Sequence, residues 1–118
     1  MDRRNSFRMD KVNAEMQKVV SSVINQELRN PLVDNAVISV TEVQTAPDFS
    51  SAKVFVSALN TTLSAEELLK ELAEAAGFIK RRIAEELKMK RTPSLRFIYD
   101  DSVEHGDKIM KMIESLRK

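Results

Sequence analysis

The 118-residue sequence predicts an α+β domain of two layers, with helices laid over one face of a small mixed sheet. Three observations predict it. Hydrophobic spacing changes from three-and-four to two and back again. Two alternating runs are separated by a link so short that they should pair antiparallel. A third β-branched and aromatic run is reached only through a helical stretch, which allows a parallel, right-handed crossover. The expected order is helix, strand, strand, bent helix, strand, helix.

The opening stretch carries Val12, Met16, Val19, Val20, Val23, Ile24 and Leu28 at helical spacing, one apolar stripe of an amphipathic helix. Asn5 or Ser6 is the expected cap, and Asn30-Pro31 the expected stop. From Ala36 the period is two. Ile38 and Val40 share a face while Val43 falls on the other, so a bulge or strong twist is expected near Thr41 and Glu42. Ala46-Pro47-Asp48 has turn chemistry. In the next run Ala52, Val54, Val56 and Ala58 face one way, and Lys53, Phe55 and Ser57 the other.

After the loop Asn60-Thr61-Thr62, Ser64 and Glu67 have capping-box spacing. Leu68, Leu72, Ala76, Ile79, Ile83 and Leu87 form the following stripe. Gly77 interrupts it at a cost near 1 kcal/mol relative to alanine, and Phe78 would point away from the stripe on a straight helix. A bend or break is therefore expected at Ala75-Ala76-Gly77. Helical spacing runs from Ala65 to about Met89, and Pro93 is read as ending the helical region. Ser94 to Asp100 is read as the third strand, and Asp101 or Ser102 as the cap of a last helix. That helix would bury Val103, Ile109, Met112, Ile113 and Leu116.

Composition narrows the chemistry. No cysteine means no disulfide, thiolate catalysis or Cys-ligated metal, which suits a reducing, cytoplasmic setting. Gly77 and Gly106 are the only glycines, too far apart for a Walker A loop, a Rossmann fingerprint or a standard GxxG nucleic-acid loop. No secretory signal or membrane span is read from the opening residues. His105 has no second imidazole or thiol to work with, and a residue near a helix start is more simply solvated. Glu66-Glu67 and Glu85-Glu86 diverge by about 100° on a helix, and Asp100-Asp101 is more simply a cap. No enzyme, metal or cofactor is expected, and the methionines are read as packing.

Charge distribution says more than the total of +1. From Lys80 to Arg96 stand Lys80, Arg81, Arg82, Lys88, Lys90, Arg91 and Arg96 against Glu85 and Glu86. The preceding half-helix is acidic, and the N-terminal arm adds Arg3, Arg4, Arg8, Lys11 and Lys18 against Asp2, Asp10 and Glu15. Such clusters bind phosphate even at low net charge. Ion pairing on a solvated helix face, Arg81 with Glu85 and Arg82 with Glu86, explains part of the same pattern. Phe78 could stack on a base or pack against the first or last helix.

Taken together, Arg4 and Arg8 in an R-x-x-x-R helix, VISVTEV, APDFSSAKVFVS and AAGFIKRRIAEELKMKRTPSLRFIYDDS span nearly the whole chain. This combination resembles the bacterial ribosome-binding factor A family. The resemblance implies a type II KH-like fold in which an Ala-x-Gly bend, here Ala75-Ala76-Gly77, replaces the GxxG loop. It also implies a non-enzymatic factor that binds the immature small ribosomal subunit and its 16S rRNA in late maturation, with a role in cold adaptation. With one glycine left at the bend, RNA binding should lean on cations: Lys80, Arg81, Lys88, Lys90 and Arg91, then Arg4, Arg8 and Lys11, with Arg82, Lys53 and Arg96 as weaker candidates and Gly77 allowing close approach. The chain ends at Lys118, so a long C-terminal tail such as some members carry is not expected. One RNA-binding domain over residues 1–118, acting as a monomer, is the expectation. The competing reading is a protein-protein adaptor that uses the sheet face or edge.

Overall fold

The computed structural model describes residues 3–28, 37–59 and 63–101, with side chains from Arg8 onward in the first of these and from Ile38 to Ala58 in the second. Helix α1 (Arg3–Ser22) runs into a single π turn, Val23–Glu27. Strands β1 (Val37–Thr45) and β2 (Ser51–Leu59) follow, then helices α2 (Ala65–Glu74) and α3 (Ala76–Leu87), then strand β3 (Ser94–Tyr99). The expected final helix, with its apolar residues and His105, lies outside the described residues.

The sheet order is β1-β2-β3, antiparallel between β1 and β2 and parallel between β2 and β3. It is therefore mixed, and the crossover through α2 and α3 is what makes the second pair parallel. The expected bulge lies where Val40 opposes Val56 but Glu42 opposes Phe55, leaving Thr41 extra. That insertion rotates Val43 back to the core face, where it is buried beside Ile38 and Val40. The Thr41 hydroxyl, displaced to the other face, donates to Asp100 Oδ2 at 2.6 Å.

One hydrophobic cluster joins the layers. Met16, Val20, Val23 and Ile24 of α1 and its π turn, Leu68 and Leu72 of α2, and Ile79 and Ile83 of α3 are buried against Ile38, Val40, Val43, Ala52, Val54 and Val56. The break between α2 and α3 falls at Ala75, whose N–H still reaches back to the Glu71 and Leu72 carbonyls. Ser64 accepts from the Glu67 N–H at 3.1 Å and starts α2 as its capping spacing implies.

Three local readings of the sequence change. Asn5 and Ser6 lie inside α1, which is already helical at Arg3, so neither is its cap. The first helix leaves helical geometry at Leu28, closed by Leu28 N–H donating to the Val23 carbonyl at 3.1 Å, before Asn30-Pro31 is reached. Helix α3 stops at Leu87, two residues short of Met89, where the helical spacing ends, and six ahead of Pro93, because Lys88 turns left-handed (φ 51°, ψ 42°) and returns its N–H to the Ala84 carbonyl. Met89 N–H donates to the same carbonyl at 3.3 Å, a Schellman-type closure.

Side-chain amides bind α1 to the outer edge of β1. Asn13 Oδ1 accepts from Thr45 N–H at 3.0 Å, and Gln17 Nε2 donates to the Val40 carbonyl at 2.8 Å. Asn25, in the π turn, donates to the Ile38 carbonyl at 2.9 Å and accepts from its N–H. These contacts satisfy backbone groups that an edge strand otherwise presents to other chains. They also fix direction: α1 lies antiparallel to β1, with its N-terminal turns beside the β1–β2 turn.

Candidate nucleic-acid interface

The cations are placed by four independent constraints. Arg8 and Lys11, preceding Asn13 on α1, flank a groove whose far wall is Pro47 and Phe49 of the β1–β2 turn. Lys53 and Arg96 are direct partners in the β2–β3 register, both exposed on the face away from the helices. Ser94 N–H donates to the Ser50 carbonyl at 3.2 Å, so the α3–β3 loop carrying Lys88, Lys90 and Arg91 enters the sheet beside that same turn. Arg91 is close enough to Asp48 to act on its charge.

Seven of the sequence-selected residues thus gather at one end of the sheet: Arg8, Lys11, Lys53, Lys88, Lys90, Arg91 and Arg96, each exposed. They come from α1, β2, the α3–β3 loop and β3, so this gathering is tertiary and could not be read as a linear run. Asp48, on the β1–β2 turn, is an acid close to Arg91, and Glu15 lies on the groove with Arg8 and Lys11. The Asp48 carboxyl is held below the usual carboxylate range chiefly because the Ser50 hydroxyl and N–H donate to it, at 2.6 and 3.0 Å, with Arg91 a smaller electrostatic contribution.

Gly77, Lys80 and Arg81 lie apart from that group. They belong to the first half of α3, and eleven residues of helical rise put Gly77 about 16 Å from Lys88 along the axis. Gly77 is exposed, with nothing within 4 Å of where a Cβ would stand. Phe78 beside it is 40% exposed, the exposed large hydrophobic among the described residues. Lys80 is half-buried and Arg81 exposed. Arg4 lies on α1, but its side chain is outside the described residues.

Arg82 is spent differently. Its guanidinium binds Glu27 at 3.1 Å, Glu85 at 2.6 Å and Glu86 at 2.9 Å, tying α3 to the π turn that follows α1. The hydrogen bonds it donates to Glu85 and then Glu27 raise its pKa above the ordinary arginine value. An RNA phosphate would have to displace three carboxylates there. Its i,i+4 bond to Glu86 is the one read from spacing, whereas Glu85 pairs with Arg82 at i,i+3 and the Glu27 contact spans 55 residues.

Among the described residues no cluster of three His, Asp or Glu side chains is arranged to hold a metal ion, and no helix is long and apolar enough to cross a membrane. Phe49, absent from the residues that charge and motif single out, has φ 58° and shares the groove with Arg8 and Lys11. Its only linear signal was a bulky residue just after the Ala46-Pro47-Asp48 turn, where glycine or asparagine is the usual choice.

Comparison with known proteins agrees with this architecture. Ribosome-binding factor A of Macrococcus caseolyticus is 37% identical over 113 residues, covering 96% of this chain and 97% of that protein. The crystal structure of ribosome-binding factor A from Thermus thermophilus superposes with a TM-score of 0.66 at 23% identity, over 77% of this chain and 94% of the other. A homology model of the Thermus thermophilus factor, fitted into a cryo-electron-microscopy map of its complex with 30S, matches at 25% identity and a TM-score of 0.62, over 75% and 91%. Residues 8–113 match the family model described as ribosome-binding factor A, and the chain belongs to that family.

Proposed function

We propose that this chain is a non-enzymatic assembly factor, a single RNA-binding domain that acts in the cytoplasm as a monomer. It binds the immature small (30S) ribosomal subunit and its 16S rRNA and assists late rRNA maturation, including at low temperature. The observation that carries the reading is the gathering of seven exposed cations at the β1–β2 turn end of the sheet from four separate segments. The complex of the Thermus relative with 30S supports the same target.

Phosphate contacts position a protein on RNA without specifying sequence. A factor using them favours whichever rRNA conformation presents phosphates to all its cations at once. It therefore shifts a folding subunit towards that conformation and leaves when the surface is completed or displaced. Gly77, Lys80 and Arg81 at the bend form a second contact region, with Arg4 extending the cations of α1. Arg82 holds α1 against α3 and keeps the two regions in fixed relation.

Cosedimentation with purified small subunits, with and without nuclease, tests this. Nuclease-sensitive association that weakens with salt is expected. Salt-independent, nuclease-resistant association would instead favour a protein-protein adaptor. Such an adaptor could not readily add a strand at β1, whose outer edge is occupied by Asn13, Gln17 and Asn25.

A further inference from the structure

Phe49 occupies a position whose backbone suits a different residue. Its N–H donates to the Ala46 carbonyl at 2.9 Å, closing the turn, and Asp48 Oδ1 accepts from both the N–H and the hydroxyl of Ser50. Inside that frame Phe49 has φ 58°. Glycine and asparagine adopt this left-handed geometry far more readily than a bulky aromatic, and such departures concentrate at functional positions.

The ring is not simply submerged in the core. Phe49 is half-buried, lies outside the main hydrophobic cluster, and lines a groove of about 630 Å³ with Met9, Val12 and Pro47. Arg8 and Lys11 stand on the same groove. Its volume lies in the range of small-molecule ligand sites, about 300–1,000 Å³, so space does not exclude one nucleotide. Aromatic faces beside cations are how single-stranded RNA is held, with the ring taking the base and the cations the backbone. Glu15, also on the groove, disfavours a second phosphate there and can accept from the amino group of a base.

We propose that this groove is a nucleobase pocket, in which Phe49 stacks on one unpaired base while Arg8 and Lys11 hold one phosphate beside it. The pocket rests on the RNA-binding reading above and adds to it a site distinct from the bend at Gly77.

The test uses the full chain, fluorescently labelled octaadenylate, and an octamer with the same ribose-phosphate backbone but no bases. Wild type should bind octaadenylate about 5- to 150-fold more tightly, the equivalent of about 1–3 kcal/mol for one stacked base. Phe49→Asn suits the left-handed backbone, so it should melt no lower than wild type and bind both RNAs as wild type binds the baseless one. Phe49→Leu keeps an apolar side chain without a π face and should lose the same preference, while Phe49→Trp should keep it. Preference retained in Phe49→Asn or Phe49→Leu overturns the pocket. So does equal binding of the two RNAs by wild type that still cosediments with small subunits in a nuclease-sensitive way. Should Phe49→Asn weaken cosedimentation yet keep its base preference, a protein segment occupies the groove and the base pocket is wrong. Wild type that binds neither RNA, nor small subunits through RNA, would sink the RNA-binding reading itself.

Discussion

Lys88 offers a substitution that should make the protein more stable and a weaker RNA binder. Its left-handed backbone (φ 51°, ψ 42°) closes α3, and a non-glycine residue there costs about 1–2 kcal/mol. Glycine avoids that cost but gives up about 0.5–1 kcal/mol in backbone entropy on folding. Lys88→Gly should therefore stabilise the fold by about 0.5–1 kcal/mol, a rise in Tm of roughly 2–8 °C for a domain of this size. The same change removes one exposed cation from the turn end. If Lys88 neutralises one single-strand phosphate, the slope of log affinity against log salt becomes shallower by about 0.7. Thermal unfolding followed by circular dichroism, and fluorescence anisotropy with a short RNA at several salt concentrations, read the two effects separately. A lower Tm would refute the left-handed strain argument. An unchanged salt slope in a folded variant would remove Lys88 from the RNA surface.

Other predictions probe different parts of the molecule. Gly77→Ala places a Cβ in open space within α3, so it should stabilise by up to about 1 kcal/mol, and weaker small-subunit binding by that variant would show that RNA backbone approaches the bend. Ile83 is fully buried, and Ile83→Ala should cost about 2–5 kcal/mol, measured as a fall in urea midpoint. Asp48 has its folded pKa lowered from 3.8, chiefly by Ser50. The stability it contributes is thus fully present above its unfolded pKa and lost as pH falls through the folded value. Wild type should accordingly exceed Asp48→Asn in stability near neutral pH, and that difference should shrink below pH 3.8; a pH-independent difference would refute the assignment.

What the sequence made legible follows from periodicity. Val43 falling out of step with Ile38 and Val40 revealed the bulge at Thr41, and Ser64 with Glu67 marked the start of α2, because each signal is local. The helical run between β2 and β3 allowed their parallel pairing, because a crossover of that length can return the chain in the same direction. The ends of α1 and α3 were less legible. Proline is a visible stop, but each helix had already closed on backbone geometry, at Leu28 and Lys88, that side-chain patterns do not encode.

The candidate site was legible as a set of residues and not as a surface. Arg82 reads like its neighbours Lys80 and Arg81, yet Glu27, 55 residues away, joins Glu85 and Glu86 in holding it. Lys53 looks like an isolated charge, unconnected to the basic run that ends at Arg96, until the β2–β3 register sets the two side by side. Arg8 and Lys11 approach Phe49 because core packing and the amides of Asn13, Gln17 and Asn25 hold α1 along β1. Long-range contacts create the site, and one-dimensional spacing carries no record of them.

The central claim is that the β1–β2 turn end faces RNA of the small subunit. It is tested most directly by charge reversal of Lys88, Lys90 and Arg91 together, in a protein whose melting curve remains cooperative. Cosedimentation with purified small subunits should fall by at least an order of magnitude at moderate salt. Its salt dependence should become shallower by about 0.7 for each single-strand phosphate that the variant no longer neutralises. Association at wild-type strength with an unchanged salt slope would contradict the account and place the binding surface elsewhere on the molecule.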